Sequence, residues 1–279
     1  MKYRIKKVLE EAPIVRSMYY TIRKPFYERR FATNCYGGFR GVFSTFEEAI
    51  QSAPKTKTLG YDDPELAAEY VQMLETGNWE GSKSLVRPLD YPVMFWLNTL
   101  LNIQQVPPTI FDFGGNVGFH YYTYAKYIQY PDHLKWMVCE VPAIEKAGRK
   151  LAERLSSTHL SFVADFAEAT HYEIFLASGS LQYLQNFSDL LSQLPCNPNH
   201  LLINRLPLYD GESFVTLQNG GKVFYPQYVF NQANFIESLT KLGYKLIDIW
   251  EDAQDACMIP FHPEYSVHCY HGLYLKLEN

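Results

Sequence analysis

Apolar positions along this chain follow two rhythms, which change near residue 109. Up to there they recur at helical spacing, with Pro and Gly as punctuation; beyond it, short apolar runs alternate with amphipathic stretches. Residues 2–32 read as helical, broken near Pro13 and Pro25, because proline removes a backbone donor and crowds the preceding turn. The glycines of Tyr36-Gly-Gly-Phe-Arg-Gly41 mark an irregular loop, and Ser44 with Glu47 is a capping-box pattern opening a helix over 47–52. Asp63 and Pro64 suit the N-cap and first position of a helix reaching about Glu75. A further helix is expected from Tyr91 to Ile103, closed by Pro107-Pro108. Residues 1–106 therefore read as a helical cap and 107–279 as an α/β domain.

In the second part, strands are expected at 109–113, 135–140, 160–164, 172–177, 200–204, 244–250 and 266–277. Helices are expected at 117–128, 142–155, 186–194 and 229–242. Short apolar strands spaced by helices imply a seven-stranded, mostly parallel, Rossmann-like sheet covered on both faces. The last two strands lack a clear helix between them, which suits an antiparallel hairpin. Residues 207–227 read as irregular; Gln218-Asn-Gly-Gly221 within them is either a lid over a ligand or an ordinary hairpin turn.

Composition adds limits. The chain is 47% hydrophobic and 20% charged, as a globular protein with a sizeable core is. An aromatic share of 16% serves a thick core or a cleft for a ring-bearing ligand. Five scattered cysteines without a C-x-x-C pair suit a reducing cytoplasm, and no run approaches the roughly 20 apolar residues of a membrane span. The net charge of −5 hides a basic leader: residues 1–31 are rich in Lys and Arg and leave an acidic body behind them. That leader either touches an anionic membrane face, at the inner side of the membrane, or docks on the body. The acidic body makes nucleic acid a poor partner. Cys257, His262, His268, Cys269 and His271 superficially suggest zinc, yet His268 and His271 fall on opposite faces of a strand, and no metal is expected.

The chemistry centres on Thr109-Ile-Phe-Asp-Phe-Gly-Gly-Asn-Val-Gly-Phe-His120, a strand, a glycine turn and a helix start. Adjacent Gly114 and Gly115 break the dinucleotide fingerprint, and no Gly-Lys-Ser/Thr follows for a phosphate loop. What remains is acidic-x-Gly-x-Asn-x-Gly: Asp112, Gly114, Asn116 and Gly118. An acid here suits a cationic ligand better than a pyrophosphate, although the glycines would equally permit tight strand–helix packing. Glu140 and Asp165 follow at the ends of the next two strands, where parallel sheets gather their ligand loops. In these features the chain resembles the class I S-adenosylmethionine-dependent methyltransferases over about 109–277. The resemblance implies a seven-strand order with a C-terminal hairpin and S-adenosyl-L-methionine as cofactor. It implies Glu140 on the ribose hydroxyls, Asp165 and Phe166 beside the adenine, and Ser178 at the head of Ser178–Gln182 where methyl group and acceptor meet.

The run from Tyr36 to Ala49, with Gly60-Tyr-Asp and Phe111-Asp-Phe-Gly-Gly, also resembles an uncharacterised family of bacterial methyltransferases associated with surface-polysaccharide loci. That resemblance implies O-methylation of a sugar or glycan precursor. A sugar hydroxyl needs a base. His120, at the first helix, and Tyr183, after the fourth strand, are the candidates; His120 is otherwise a half-buried helix histidine. Asn204 and Arg205 are candidate substrate ligands, Arg205 being otherwise half of a structural ion pair. The rival readings are a methyltransferase-like binding module in glycan assembly and a nucleotide-linked oxidoreductase.

Overall fold

The computed structural model describes residues 13–77, 86–103 and 107–278. Residues 1–12, which carry part of the expected first helix and of the basic leader, lie outside the described residues. In chain order the early elements are α1 (Pro13–Phe31), β1 (Phe39–Phe43), α2 (Phe46–Gln51), β2 (Thr58–Leu59), α3 (Pro64–Thr76) and α4 (Asp90–Leu101). Then come β3 (Thr109–Phe113), α5 (Phe119–Tyr124), β4 (Lys135–Cys139), α6 (Pro142–Arg154), β5 (Leu160–Val163), β6 (Ile174–Ser178) and α7 (Phe187–Ser192). The chain ends with β7 (His200–Leu206), β8 (Leu208–Tyr209), β9 (Phe214–Asn219), β10 (Val223–Asn231), α8 (Gln232–Thr240), β11 (Tyr244–Asp252) and β12 (Tyr270–Leu277).

Seven of these strands make one sheet in the order β11-β12-β7-β6-β3-β4-β5. The five from β7 to β5 run parallel, and β12 is antiparallel to both β7 and β11, giving the expected C-terminal hairpin. Period-two alternation explains why both faces are covered. Ile110, Ile174, Leu176 and Leu202 pack on one side with Val93 and Leu97 of α4 and Tyr124 of α5. Phe111, Phe175, Ala177, Leu201 and Ile203 pack on the other with Phe187 and Leu191 of α7 and Phe235 and Leu239 of α8. The result is the Rossmann-like α/β sheet that the strand pattern implies.

The chain divides into two compact units. One holds residues up to Gly60 together with Val215–Pro226 and Met258–Ser266; the other holds the rest, including the seven-stranded sheet. In the smaller unit β1 pairs antiparallel with β9 and β2 pairs parallel with β10. Phe31, stacked on Phe224 at 5.4 Å, and Leu217 form its core. Asn219 locks the turn: its Nδ2 donates to the Phe31 carbonyl (2.6 Å), and its Oδ1 accepts from Lys57 Nζ (2.9 Å).

Several expectations change here. The two units do not divide at the expected 106: α3 and α4 fall in the unit of the large sheet, and residues 36–60 contribute strands as well as helix. The supposedly irregular 207–227 contains β8, β9 and the start of β10, so Asn219-Gly220 is a hairpin turn. The helix expected from 229 starts at Gln232, capped by Asn231. Proline at 25 does not break α1, which loses a single donor there and continues. The capping box shifts by one residue: Thr45 accepts from the Glu48 N–H, and Glu48 accepts from the Ser44 N–H. Asp63 caps α3 as expected, accepting from the N–H groups of Glu65 and Leu66.

Candidate functional site

Strand order reverses beside β3: β4 and β5 lie to one side, β6 and β7 to the other. Open parallel sheets form their ligand crevice at such a switch point, outside the strand C-termini. The turn after β3 sits there. Gly114, Asn116 and Gly118 have φ of 72°, 59° and 92°, so every second residue of the motif is left-handed. That is the physical content of the acidic-x-Gly-x-Asn-x-Gly pattern, since asparagine tolerates this region better than other side chains. The spaces that a Cβ would take are already filled. One on Gly114 would lie 2.3 Å from Ser180 Cβ, and one on Gly115 would lie 2.3 Å from Asp112 Oδ2. These two glycines therefore serve close packing of the protein on itself.

The structure corrects the role expected of Asp112. It shares a strand face with Ile110, points under α5, and is fully buried at 0% exposure. Its carboxylate meets His120 Nδ1 at 3.1 Å and accepts from Trp136 Nε1, also at 3.1 Å. It is spent on the protein's own side chains and presents no face to a cationic ligand. His120 changes with it. Rather than half-buried, it is buried, and its Nδ1 is held by Asp112. Burial lowers its pKa, but the charge and hydrogen bond of Asp112 outweigh that and raise it above the ordinary histidine value. Buried, with Nδ1 held by Asp112, His120 makes an interior ion pair. Asp90 extends this knot: it accepts the N–H of Arg87 and the hydroxyl of Tyr124.

Glu140 behaves differently. It follows β4 at the mouth of the sheet and is half-buried. Oε1 accepts the Asn116 N–H at 2.9 Å, and Oε2 accepts the Val141 N–H at 3.1 Å. Burial raises its pKa to about 7, against the opposing pull of those two N–H donors. Asp165 is exposed one strand further on, with one oxygen capping the short 3-10 turn Phe166–Ala169 through the Ala167 N–H. Phe166 packs edge-on against Phe111 and Phe113 (ring centroids 6.0 and 5.7 Å). Gly114, Asn116, Glu140, Asp165 and Phe166 thus collect at consecutive strand ends.

Across the switch point Ser178 and Asn204 meet each other, while Arg205 and Tyr183 meet other protein groups. Ser178, buried at the end of β6, lies 3.4 Å from Asn204 Nδ2, and Asn204 Oδ1 accepts from Trp250 Nε1 at 3.0 Å. Asn204 therefore ties β6, β7 and β11 together and has no amide atom turned to a substrate. Arg205 has a left-handed φ of 56° and donates from Nε to Asp255 (2.8 Å). Asp255 also receives a two-point contact from Arg87 (2.9 and 3.1 Å). Arg205 thus makes the ion pair of one of its two readings, through Nε; Asp255 and Arg87 were hidden because they lie 50 and 118 residues away in sequence. Tyr183, in the 3-10 turn after β6, is half-buried and meets the Tyr61 ring edge-on at 5.1 Å. Beside it, Gln182 is buried with Oε1 lacking any hydrogen-bond partner.

No model of a known protein family matches this chain, and no curated protein matches it. Solved structures do. The N-terminal domain of EvdMO1 with S-adenosylhomocysteine bound is 12% identical, over 77% of this chain and 95% of that one, with a TM-score of 0.49. A SAM dependent methyltransferase from Aquifex aeolicus is 12% identical, over 77% and 99%, with a TM-score of 0.47. The 1,6-didemethyltoxoflavin-N1-methyltransferase of Burkholderia thailandensis is 14% identical, over 79% and 92%, with a TM-score of 0.43.

Proposed function

We propose that the chain is an S-adenosylmethionine-dependent methyltransferase whose acceptor is a hydroxyl oxygen of a sugar or glycan precursor. The observation that carries the donor assignment is the contact between Glu140 and the Asn116 N–H, which fixes a carboxylate against the turn at the switch point. The residues fit this donor in most respects. Two adjacent ribose hydroxyls can donate to the Glu140 carboxylate, Phe166 offers an apolar wall for adenine, and the unpartnered Gln182 Oε1 is an acceptor awaiting a ligand donor. Asp112 takes no part except as the post beneath the turn.

When bound, the donor supplies a methyl group on a sulfonium, which leaves as a neutral thioether. The protein's work is to hold acceptor and donor in line at close range and to take the hydroxyl proton. Tyr183 is the candidate for that proton, because His120 is held by Asp112. Calorimetry with S-adenosylmethionine, S-adenosylhomocysteine and NAD(P)H tests the donor: both sulfur ligands bind, NAD(P)H does not, and Glu140→Ala weakens binding. No binding of either sulfur ligand overturns the assignment. A labelled-methyl assay with sugar nucleotides and phenolic acceptors tests the oxygen. The commitment of His120 and Asn204 to interior partners favours one rival, a non-catalytic binding module, which binding without any methyl transfer would establish.

We place this reaction at an anionic membrane face. In α1, Ile14, Met18, Ile22 and Phe26 are 78, 63, 62 and 69% exposed at four-residue spacing. Arg16, Arg23, Lys24, Arg29 and Arg30 accompany them, and the helix's acid, Glu28, is paired with Arg40. An apolar ridge among cations is the pattern of an interfacial helix. Among the described residues no helix is long and apolar enough to cross a membrane. The full chain should float with anionic but not neutral vesicles, and Met18→Glu with Ile22→Glu should abolish it; equal flotation of the double variant overturns the placement.

A further inference from the structure

The C-terminal hairpin carries a cluster that the donor site does not use. Glu251 on β11 and His271 on β12 are directly opposed in the antiparallel register. Opposed residues project to the same face, and Cys269 stands one residue before β12 begins. One ligand-type atom from each of the three, a carboxylate oxygen, a thiol sulfur and an imidazole nitrogen, lies within 4.8 Å of the others. The strand expected from Ser266 begins at Tyr270, so the opposite-face argument, which needs His268 inside a strand, does not apply.

A second observation points to the same place. His271 is 9% exposed, and its Nδ1 is buried with no hydrogen-bond partner. An imidazole nitrogen left unpaired in the interior is costly unless something occupies it. The surrounding charge is negative: Glu251 and Asp210 both act on the His271 ring. We propose that Glu251, Cys269 and His271 bind a divalent transition-metal ion of the zinc class.

The donor set selects the metal. A thiolate and an imidazole suit zinc and exclude the all-oxygen preferences of magnesium and calcium. Three protein ligands leave a fourth tetrahedral position to solvent. A cysteine thiol near neutral pH carries its proton, which a bound cation displaces. Binding then releases that proton as the S–M bond forms.

The test uses the untagged full chain, stripped with chelator and titrated with Zn²⁺ and with Co²⁺. About one equivalent of Zn²⁺ should be retained per chain. Co²⁺ should give the near-ultraviolet absorption of a cobalt–thiolate bond, with proton release measured by calorimetry in buffers of different ionisation enthalpy. Outer-shell groups alone alter metal affinity by about 10–100-fold, so loss of a direct ligand in Cys269→Ser or Glu251→Gln should cost at least about tenfold. Cys269→Ser should also abolish the cobalt–thiolate band. Both substitutions lie outside the buried core, so the folded chain remains measurable. Cys196→Ser, at an exposed cysteine remote in sequence, should change nothing. No retained zinc, or a cobalt–thiolate band that survives Cys269→Ser, overturns the site.

Discussion

Two carboxyl groups flank the same turn, and they do opposite work. Asp112, beneath it, is sealed from solvent between His120 and Trp136. Glu140, at its rim, is half-buried and spends its oxygens on two backbone N–H groups, one of them in the turn itself. The acid inside the motif is therefore a structural post, and the acid outside it stands at the rim of the turn. An acidic residue in a ligand motif need not touch the ligand; strand parity decides. Asp112 shares its face with Ile110 and is carried into the interior, whereas Glu140 lies one residue beyond its strand and escapes the pleat.

The largest expected effect breaks the interior side of this comparison. His120→Leu fills the volume but leaves the buried Asp112 with Trp136 alone. Removing one partner of a buried ion pair costs about 3–5 kcal/mol, which urea denaturation at neutral pH should register as a large fall in midpoint at an unchanged slope. His120→Gln, which still offers a donor to Asp112, should recover part of the loss. Because the His120 pKa is raised, the ion-pair contribution is full below the ordinary histidine value and is lost as pH rises through the raised one. A loss under about 1 kcal/mol in His120→Leu would mean that the knot is not holding the turn.

What the sequence disclosed, and what it hid, follows the reach of the interactions. The β3 turn was legible because three left-handed positions must fall on Gly114, Asn116 and Gly118, a constraint written within five residues. The strands β3 to β7 were legible because buried parallel strands must be short and apolar. The pairing of Phe39 with Gln218 was not, since nothing local in either stretch specifies a partner so distant in the chain. For the same reason Arg205 looked available: its partner Asp255 and the competing Arg87 come from separate segments. The capping box was misplaced by one residue because Ser44 and Thr45 both precede a glutamate at the right spacing, and only the backbone chooses between them. Glu251 was not linked to Cys269 and His271 because the sequence shows a cysteine and a histidine two apart but not the strand that sets Glu251 opposite His271.

A smaller effect sharpens the rim side. The Glu140 carboxyl is raised from an ordinary 4.5 to about 7, burial outweighing its two N–H donors. The unfolded chain gives up this proton near its ordinary value, while the folded chain keeps it until about 7. Unfolding therefore releases a proton between those limits, and stability must fall as pH rises through them and level off above. At 1.36 kcal/mol per unit, and allowing for partial exposure, the fall is roughly 2 kcal/mol. Glu140→Gln cannot titrate, so wild-type stability relative to this variant should decline by that amount from pH 5 to pH 8. Bound ribose hydroxyls would donate to the ionised form, so S-adenosylhomocysteine affinity should rise over the same interval in the wild type and stay flat in Glu140→Gln. The opposite slope in stability, a wild-type advantage growing with pH, would make Glu140 a carboxylate held ionised by its N–H donors. The distinction between post and rim would then lose its electrostatic half and rest on exposure alone.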